Sequence, residues 1–377
     1  MKIGIEAQRI FREKKHGMDF VALELVKNLP KVEGTEYFIF VNAKLSEVNF
    51  GLREDIQIVA KKLPYPLWEQ IWLPIQSKKL NINVLHCTAN TFPIVSPCKV
   101  FLTLHDIIFI ETNPLKNGDY SAYQKLGNLY RRILVKYFLK NVDHIITVSD
   151  FELNNIKARF QRLSETITIN RIYNGVGEHF ESSTLTVEEK NRIEEKYGVK
   201  QDFVVFLGNT DPKKNTKNTL NAFVEFAKNN VEARLVVGDL AGNFLNNCLP
   251  ADLEEGIRSR IIPLGYIENK DLPILLKMSR AFLYPSQRES FGIPLLEGMS
   301  CGVPVITSNT SSMPEIAQEA AILVDPNNKN EIANALEQVW NNKSLVETLI
   351  SKGKQRGASF SWSKMAKQYA TLYTQLT

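Results

Sequence analysis

Short runs of β-branched and aromatic residues alternate along the chain with longer stretches whose apolar positions recur every three or four residues. The first pattern predicts buried strands and the second amphipathic helices. In the first half, strands are expected over residues 2–6, 37–41, 84–86, 100–104 and 144–148. Helical spacing falls between them over 20–29, 68–79 (interrupted at Pro74), 126–140 and 151–160. Ile172-Tyr173-Asn174-Gly175-Val176 ends a strand in a turn, and the polar stretch 182–200 holds one exposed helix over 188–197. The alternation then restarts, with strands over 203–207, 233–237, 261–264, 281–284 and 305–307. The last segment, 361–376, sets Met365, Tyr369, Leu372 and Tyr373 at helical spacing.

Parallel strands joined by crossover helices produce this alternation, so the fold class is α/β. Two such series separated by a polar link predict two facing, doubly wound Rossmann-like domains, over residues 1–177 and 178–360, with a helix at 361–377 returning to the first. Ligands of such sheets bind beyond the carboxyl ends of the strands, so the cleft between the domains is the expected site. The 377 residues agree with about two domains. With 44% hydrophobic and 23% charged residues, collagen-like, disulfide-scaffold and disordered chains are excluded. No apolar run approaches the roughly 20 residues of a membrane-spanning helix. Cys87, Cys98, Cys248 and Cys301 form no Cys-x-x-Cys pair, which predicts neither a zinc site nor a disulfide frame. Glu6 stands where a signal peptide would carry its apolar core, so a cytosolic setting is expected. The net charge of +5 divides into +6 over residues 1–180 and −1 over 181–377. A basic half suits nucleic acid, an anionic membrane or an acidic substrate, and composition does not choose among them.

The strongest chemical signal is Tyr284-Pro285-Ser286-Gln287-Arg288-Glu289-Ser290-Phe291-Gly292-Ile293-Pro294-Leu295-Leu296-Glu297. A buried strand ends at Tyr284, a polar loop follows, and Pro294 suits the first turn of a helix. Backbone N–H groups around Phe291, Gly292 and Ile293 would point out of that helix start, a geometry suited to phosphate oxygens. Glu289 and Glu297 flank it, and a carboxylate accepts well from paired sugar hydroxyls. Both acids also read as favourable charges near a helix N-terminus. A second element, Gly208-Asn209-Thr210-Asp211-Pro212-Lys213-Lys214-Asn215, runs from a strand through a turn into a helix. A lysine there neutralises a pyrophosphate as a point charge or is simply solvated. A third, Leu102-Thr103-Leu104-His105-Asp106, ends a strand in a His that either meets a ligand or pairs with Asp106.

These motifs resemble the signature of the retaining, two-domain GT-B enzymes of glycosyltransferase family 4 (glycosyl transferases group 1). The likeness rests on Glu289-x7-Glu297 with its embedded Ser-Phe-Gly-Ile-Pro, on Met299-Ser300-Cys301-Gly302-Val303-Pro304-Val305-Ile306-Thr307-Ser308, and on Pro314-Glu315. It extends more weakly along nearly the whole chain. The resemblance implies that Glu289 lies beside the transferred sugar and Glu297 grips the ribose hydroxyls. It implies that Lys214, with Lys213, Gly208 and Asn209, faces the diphosphate, and that His105 contacts the sugar. Asn209 stands where the family carries Arg, so Lys213 or Arg288 compensates, or Asn209 donates a weaker, neutral hydrogen bond. Tyr266, in Leu264-Gly265-Tyr266-Ile267, falls where the family contacts the base. Of the family's glycine-rich first loop only Gly17 remains, beside Arg12, Lys14 and Lys15. Ser290 completes the donor-binding loop by the same match.

The function implied is metal-independent transfer of a hexose, with mannose from GDP-mannose the first choice and UDP-sugars open. The acceptor is a hydroxyl on a glycan or lipid-linked saccharide, in surface polysaccharide or glycoconjugate synthesis. No Asp-x-Asp occurs to hold a divalent metal, and no cofactor beyond the nucleotide-sugar co-substrate is expected. Trp68 and Trp72 read as core rather than a sugar platform. The segment from Tyr130 to Lys140 is basic on one side and apolar on another, which covers a sheet or holds the enzyme at an anionic membrane. Nucleic acid is not the preferred partner. A dinucleotide dehydrogenase would need a Gly-x-Gly-x-x-Gly after a strand, and none is present. An epimerase or phosphorylase of similar architecture, and a non-catalytic nucleotide-sugar-binding subunit, are the remaining alternatives.

Overall fold

Strands buried along their whole length, such as Val84–Cys87, His144–Thr147, Ala281–Tyr284 and Val305–Ser308, require cover on both sheet faces. Parallel sheets wrapped by crossover helices supply that cover. The computed structural model describes residues 1–8, 10–11, 17–44, 53, 55–111, 122–181, 184–200, 202–240 and 242–375. Arg12, Lys14 and Lys15 of the first loop lie outside the described residues. The chain divides into two units, Met1–Gly175 with Trp362–Thr377, and Val176–Ser361.

In the first unit seven strands, β1 Lys2–Glu6, β2 Glu36–Val41, β3 Ile56–Ala60, β4 Val84–Cys87, β5 Lys99–Thr103, β6 His144–Thr147 and β7 Thr168–Arg171, pair in the order β3-β2-β1-β4-β5-β6-β7. In the second, six strands, β8 Phe203–Leu207, β9 Arg234–Gly238, β10 Ile261–Gly265, β11 Ala281–Tyr284, β12 Val305–Ser308 and β13 Ile322–Val324, pair in the order β10-β9-β8-β11-β12-β13. Every pairing is parallel. Two doubly wound α/β sheets are therefore present. β3 and β13 are absent from the sequence reading. β3 is a partly exposed edge strand, and β13 has only three residues, so neither carries a strong apolar run.

The expected break at Pro74 does not occur. The helix runs on through a widened turn at Trp68–Trp72, where the Leu73 N–H donates to the Trp68 carbonyl, into Leu73–Lys79. A π-type turn absorbs the proline ring without ending the helix. Trp68 is fully buried there and stacks at a tilt on Trp72. Local chemistry bounds the exposed helix Val187–Tyr197, with a Thr186–Glu189 capping box at its start and left-handed Gly198 at its end.

The last helix, Trp362–Gln375, belongs to the first unit. Tyr373 Oη lies 2.6 Å from His86 Nδ1, Thr103 Oγ1 lies 2.7 Å from His86 Nε2, and Tyr369 Oη lies 3.0 Å from Thr103 Oγ1. Burial pushes the His86 imidazole down to about 3, so it is neutral. A neutral ring both donates and accepts, which lets one His anchor two hydroxyls inside the core.

Candidate active site

In the second unit the chain builds β9 and β10 on one side of β8, then crosses to β11 on the other. The loops after β8 and β11 therefore diverge at the point where strand order reverses, and such switch points hold ligands in open α/β sheets. The sequence places Lys214 after β8 and Glu289 after β11, so the topology brings them together.

The β8 loop is built by its own short polar side chains. Asn209 Oδ1 accepts from the Asp211 N–H at 2.8 Å, and Asp211 Oδ1 accepts from the Lys213 N–H at 3.1 Å. Asx turns of this type replace ladder hydrogen bonds where the backbone leaves a sheet. Asn215 then takes a left-handed conformation, with φ 59°, and is buried. Its Nδ2 donates to the carbonyls of Pro285 at 3.0 Å and Pro326 at 2.6 Å, and the Gln287 N–H donates to the Lys213 carbonyl at 2.7 Å. The two loops are thus stitched edge to edge.

Lys214 Nζ donates to Glu289 Oε1 at 2.7 Å and to the Tyr284 hydroxyl at 2.6 Å, and that hydroxyl donates to the same Oε1 at 2.9 Å. Burial pushes the Glu289 carboxyl up, but the charges of Lys214 and Lys213 and the hydrogen bonds from Lys214 and Tyr284 outweigh it and hold the group below its ordinary value. Glu289 is therefore a carboxylate. Its Oε1 is occupied, and among the described residues Oε2 takes no hydrogen bond. Ser311 and Ser312 fix the backbone: the Glu289 N–H donates to Ser311 Oγ at 3.1 Å, and Ser312 Oγ donates to the Glu289 and Phe291 carbonyls at 3.0 and 3.1 Å.

The helix that follows, Ile293–Ser300, starts at Gly292 with φ 95°. That positive φ strains any side chain, so glycine lets the backbone turn into the helix there, and a Cβ would also meet the Met313 methyl. Phe291 is buried against Phe360, ring centroids 5.9 Å apart. Glu297 lies on this helix, half-buried, and no hydrogen bond or ion pair reaches its carboxyl among the described residues. Desolvation raises it to about 8. Tyr284 feels the charges of both Glu289 and Glu297.

The remaining expected residues are placed less closely. Ser290 and Ile293 are half-buried beside this helix start. Gly208 follows β8, its N–H donating to the Gly238 carbonyl at 3.2 Å. Lys213 Nζ lies 3.7 Å from Asp211 Oδ2. Tyr266 is 59% exposed after β10, the edge strand, two strands from β8. His105 and Gly17 belong to the first unit. His105 Nε2 lies 2.9 Å from the Thr88 carbonyl, so that nitrogen carries the proton, and its backbone N–H donates to Asn90 Oδ1 at 2.6 Å. Burial lowers the His105 value, and the Thr88 carbonyl, Asp106 and Asp19 only partly offset it. Asp106 instead caps a short helix, accepting from the Ile108 N–H at 3.2 Å. Gly17 opens the helix Gly17–Asn28, and a Cβ there would meet nothing. Sequence reasoning assigned no role to the Tyr284 hydroxyl, Asn215, Ser311 or Ser312. The Asn after two lysines, where the chain turns into a helix, was the one local signal.

Two family models match the chain, one described as glycosyltransferase family 4 over residues 16–179 and one as glycosyl transferases group 1 over residues 187–356. Together they span most of both units. The chain belongs to the group 1, family 4 glycosyltransferases. This glycosyltransferase is 31% identical over 236 residues to the O-antigen chain mannosyltransferase B of Escherichia coli, across 62% of the chain and 60% of that protein. It is 24% identical over 285 residues to the serotype-specific mannosyltransferase WbdA of Escherichia coli, across 74% of the chain and 34% of that protein. The chain thus matches between about a third and three fifths of the length of these relatives. The structure of Anabaena HepE in complex with UDP matches with a TM-score of 0.71 and 17% identity over the whole of both chains. That likeness shows the fold, the two-domain GT-B type.

Proposed function

We propose that this glycosyltransferase moves mannose from GDP-mannose to a hydroxyl of a glycan or lipid-linked saccharide, in the cytoplasm, with retention of configuration and without a metal ion. The observation that carries the reading is the Lys214–Glu289–Tyr284 cluster at the strand-order reversal, one carboxylate oxygen held and the other open. Two mannosyltransferases among the relatives support the sugar, as does the Gly-Asn-x-x-Pro-x-Lys-Asn form of the β8 loop.

Glu289 Oε2 accepts hydroxyls of the hexose, and Glu297 accepts from the ribose. The departing diphosphate draws Lys214 from Glu289 and takes hydrogen bonds from the backbone at the start of Ile293–Ser300, whose dipole contributes roughly half a positive charge. The leaving phosphate accepts the proton of the attacking hydroxyl on the same face of the sugar, so Glu289 acts by position and charge rather than as a nucleophile. His105, with Nε2 committed to Thr88, offers Nδ1 to a sugar hydroxyl. Among the described residues no three His, Cys, Asp or Glu side chains cluster as a metal site would require.

The test is a panel of GDP-mannose and UDP-linked hexoses, with binding by calorimetry and turnover by nucleotide release, on the natural chain and Glu289→Ala. GDP-mannose is expected to bind, and the substitution to lower turnover by about 10²–10³ while changing donor affinity far less. No binding of any nucleotide sugar at millimolar concentration sinks the reading, and unchanged turnover in Glu289→Ala removes that residue's role.

A further inference from the structure

The first unit has its own strand-order reversal: after β1 the chain lays β2 and β3 on one side, then crosses to β4 on the other. Glu6, the last residue of β1, pairs in register with Cys87, the last of β4. Its side chain is fully buried and spans the two strand ends. Glu6 Oε1 accepts from the Gln8 N–H at 3.0 Å as the chain leaves β1, and Oε2 accepts from the Thr88 N–H at 3.2 Å as it leaves β4. Thr88 Oγ1 donates to the Glu6 carbonyl at 2.7 Å, so one residue holds Thr88 twice. Two residues on, Asn90 takes a left-handed conformation, with φ 62°. Its N–H donates to the Thr103 carbonyl at 3.3 Å, and its Oδ1 accepts from the His105 N–H at 2.6 Å. The Thr88 carbonyl meets His105 Nε2 at 2.9 Å. One short loop therefore fixes both the ring and the backbone of His105, and Glu6 fixes that loop.

The chemistry of that partner sets the state of the ring. A carbonyl only accepts, so the nitrogen facing it carries the proton, and the other nitrogen of a neutral imidazole is then an acceptor. His86 shows the alternative: its partners, Tyr373 and Thr103, are hydroxyls that can turn to suit either tautomer. Among the described residues His105 Nδ1 takes no hydrogen bond, so its lone pair is left to a ligand. We propose that Glu6 is a positioning residue: by holding the Thr88 carbonyl against Nε2, it keeps His105 as the Nε2–H tautomer and makes Nδ1 an acceptor for a donating group, here a hydroxyl of the donor sugar. A carboxyl suits this place because both of its oxygens accept, one for each strand exit, and the amide of a glutamine would satisfy only one. The inference deepens the transferase reading and rests on it for the identity of the ligand, whereas the tautomer of the empty site does not.

The experiment is proton–nitrogen NMR of the full chain with isotope-labelled histidine rings, His105→Gln assigning the signal, beside donor kinetics. Without ligand, His105 is expected in the Nε2–H form alone. Its Nδ1 signal is expected to move when GDP-mannose, or the UDP-hexose that binds in its place, is added, and not with the nucleoside diphosphate alone. In Glu6→Gln the side-chain amide faces one of the two backbone N–H groups, so one clamp is lost. The ring is expected to become a mixture of tautomers, with kcat/KM for the donor down roughly tenfold. Thr88→Val removes the hydroxyl anchor and is expected to act in the same direction, while Thr88→Ser keeps it and stays within about twofold of the natural chain. That pair decides the matter if Glu6→Gln does not fold. A pure Nε2–H ring with unchanged kcat/KM in folded Glu6→Gln, or in Thr88→Val, overturns the proposal. So does a ligand-free ring with its proton on Nδ1, or an Nδ1 signal that ignores a bound nucleotide sugar. Failure of every nucleotide sugar to bind sinks the transferase reading and the sugar contact with it, and is told apart because the empty-site tautomer is read without donor.

Discussion

Each unit buries carboxylates and polar side chains near the carboxyl ends of a parallel sheet, yet the two treat them differently. In the second unit Glu289 keeps its charge because Lys214 stands 2.7 Å away. In the first, Glu69 is wrapped by Tyr65, Tyr130 and Gln70 with no lysine or arginine on it among the described residues, and burial raises its carboxyl. His86, held by Tyr373 and Thr103, is pushed down to about 3 and is neutral. Hydrogen-bond networks of this kind satisfy buried atoms and fix how elements dock. Retaining an ion inside a sheet is expensive, and here it coincides with an open carboxylate oxygen at a strand-order reversal, where a charged ligand can use it.

Three substitutions bear on this contrast, beginning with the most severe. Lys214→Met leaves Glu289 buried without its cation. Turnover is expected to fall with it, and stability by about 3 kcal/mol, because breaking one side of a buried pair strands the other charge. A melting curve indistinguishable from that of the natural chain would mean the pair is not energetically coupled. Glu297→Gln tests the acid that has no partner among the described residues. Its carboxyl is raised to about 8, so the folded chain holds a proton that the unfolded chain releases between the ordinary carboxylate range and about pH 8. Stability from this group is whole below that range and declines as pH rises through it. The glutamine variant should lack that decline and gain roughly 1–3 kcal/mol at pH 8 over the natural chain, while binding nucleotide more weakly. Denaturant unfolding at pH 5 and pH 8 reads the difference, and parallel slopes in the two proteins refute the assignment.

The mildest change is Tyr373→Phe in the first unit, which removes one partner of His86. A loss of about 1 kcal/mol is expected with turnover intact, since a neutral hydrogen bond and no ion is involved. The His86 value lies below that of a free histidine, so its contribution is present near neutrality and is lost as pH falls from about 6.5 towards 3. Impaired transfer in this variant would blur the line between structural and functional polar groups drawn above.

Much of this was legible in the chain because it is local. The loop from Tyr284 to Glu297 carries its own turn, proline and helix start, so the spacing of Glu289 and Glu297 already describes one side of a ligand site. Strand runs such as Phe203–Leu207 and Ala281–Tyr284 declare themselves because both faces are buried. Ile322–Val324 does not, being three residues at a sheet edge, and Pro74 misleads because a widened turn upstream accommodates it. Asn215 is polar and looks like a surface loop residue. It is buried because two carbonyls from distant strand ends, Pro285 and Pro326, converge on its amide.

The sequence by itself determined the two α/β series, the pair of acids around a helix start, the lysine after a strand and the basic character of the first half. Those follow from periodicity and from residues within a few positions of one another. Only the tertiary structure decided that Lys214 meets Glu289 across 75 residues and that Glu297, among the described residues, is left without a partner. Charge state depends on which groups are neighbours in space, and strand order, not chain order, sets those neighbours.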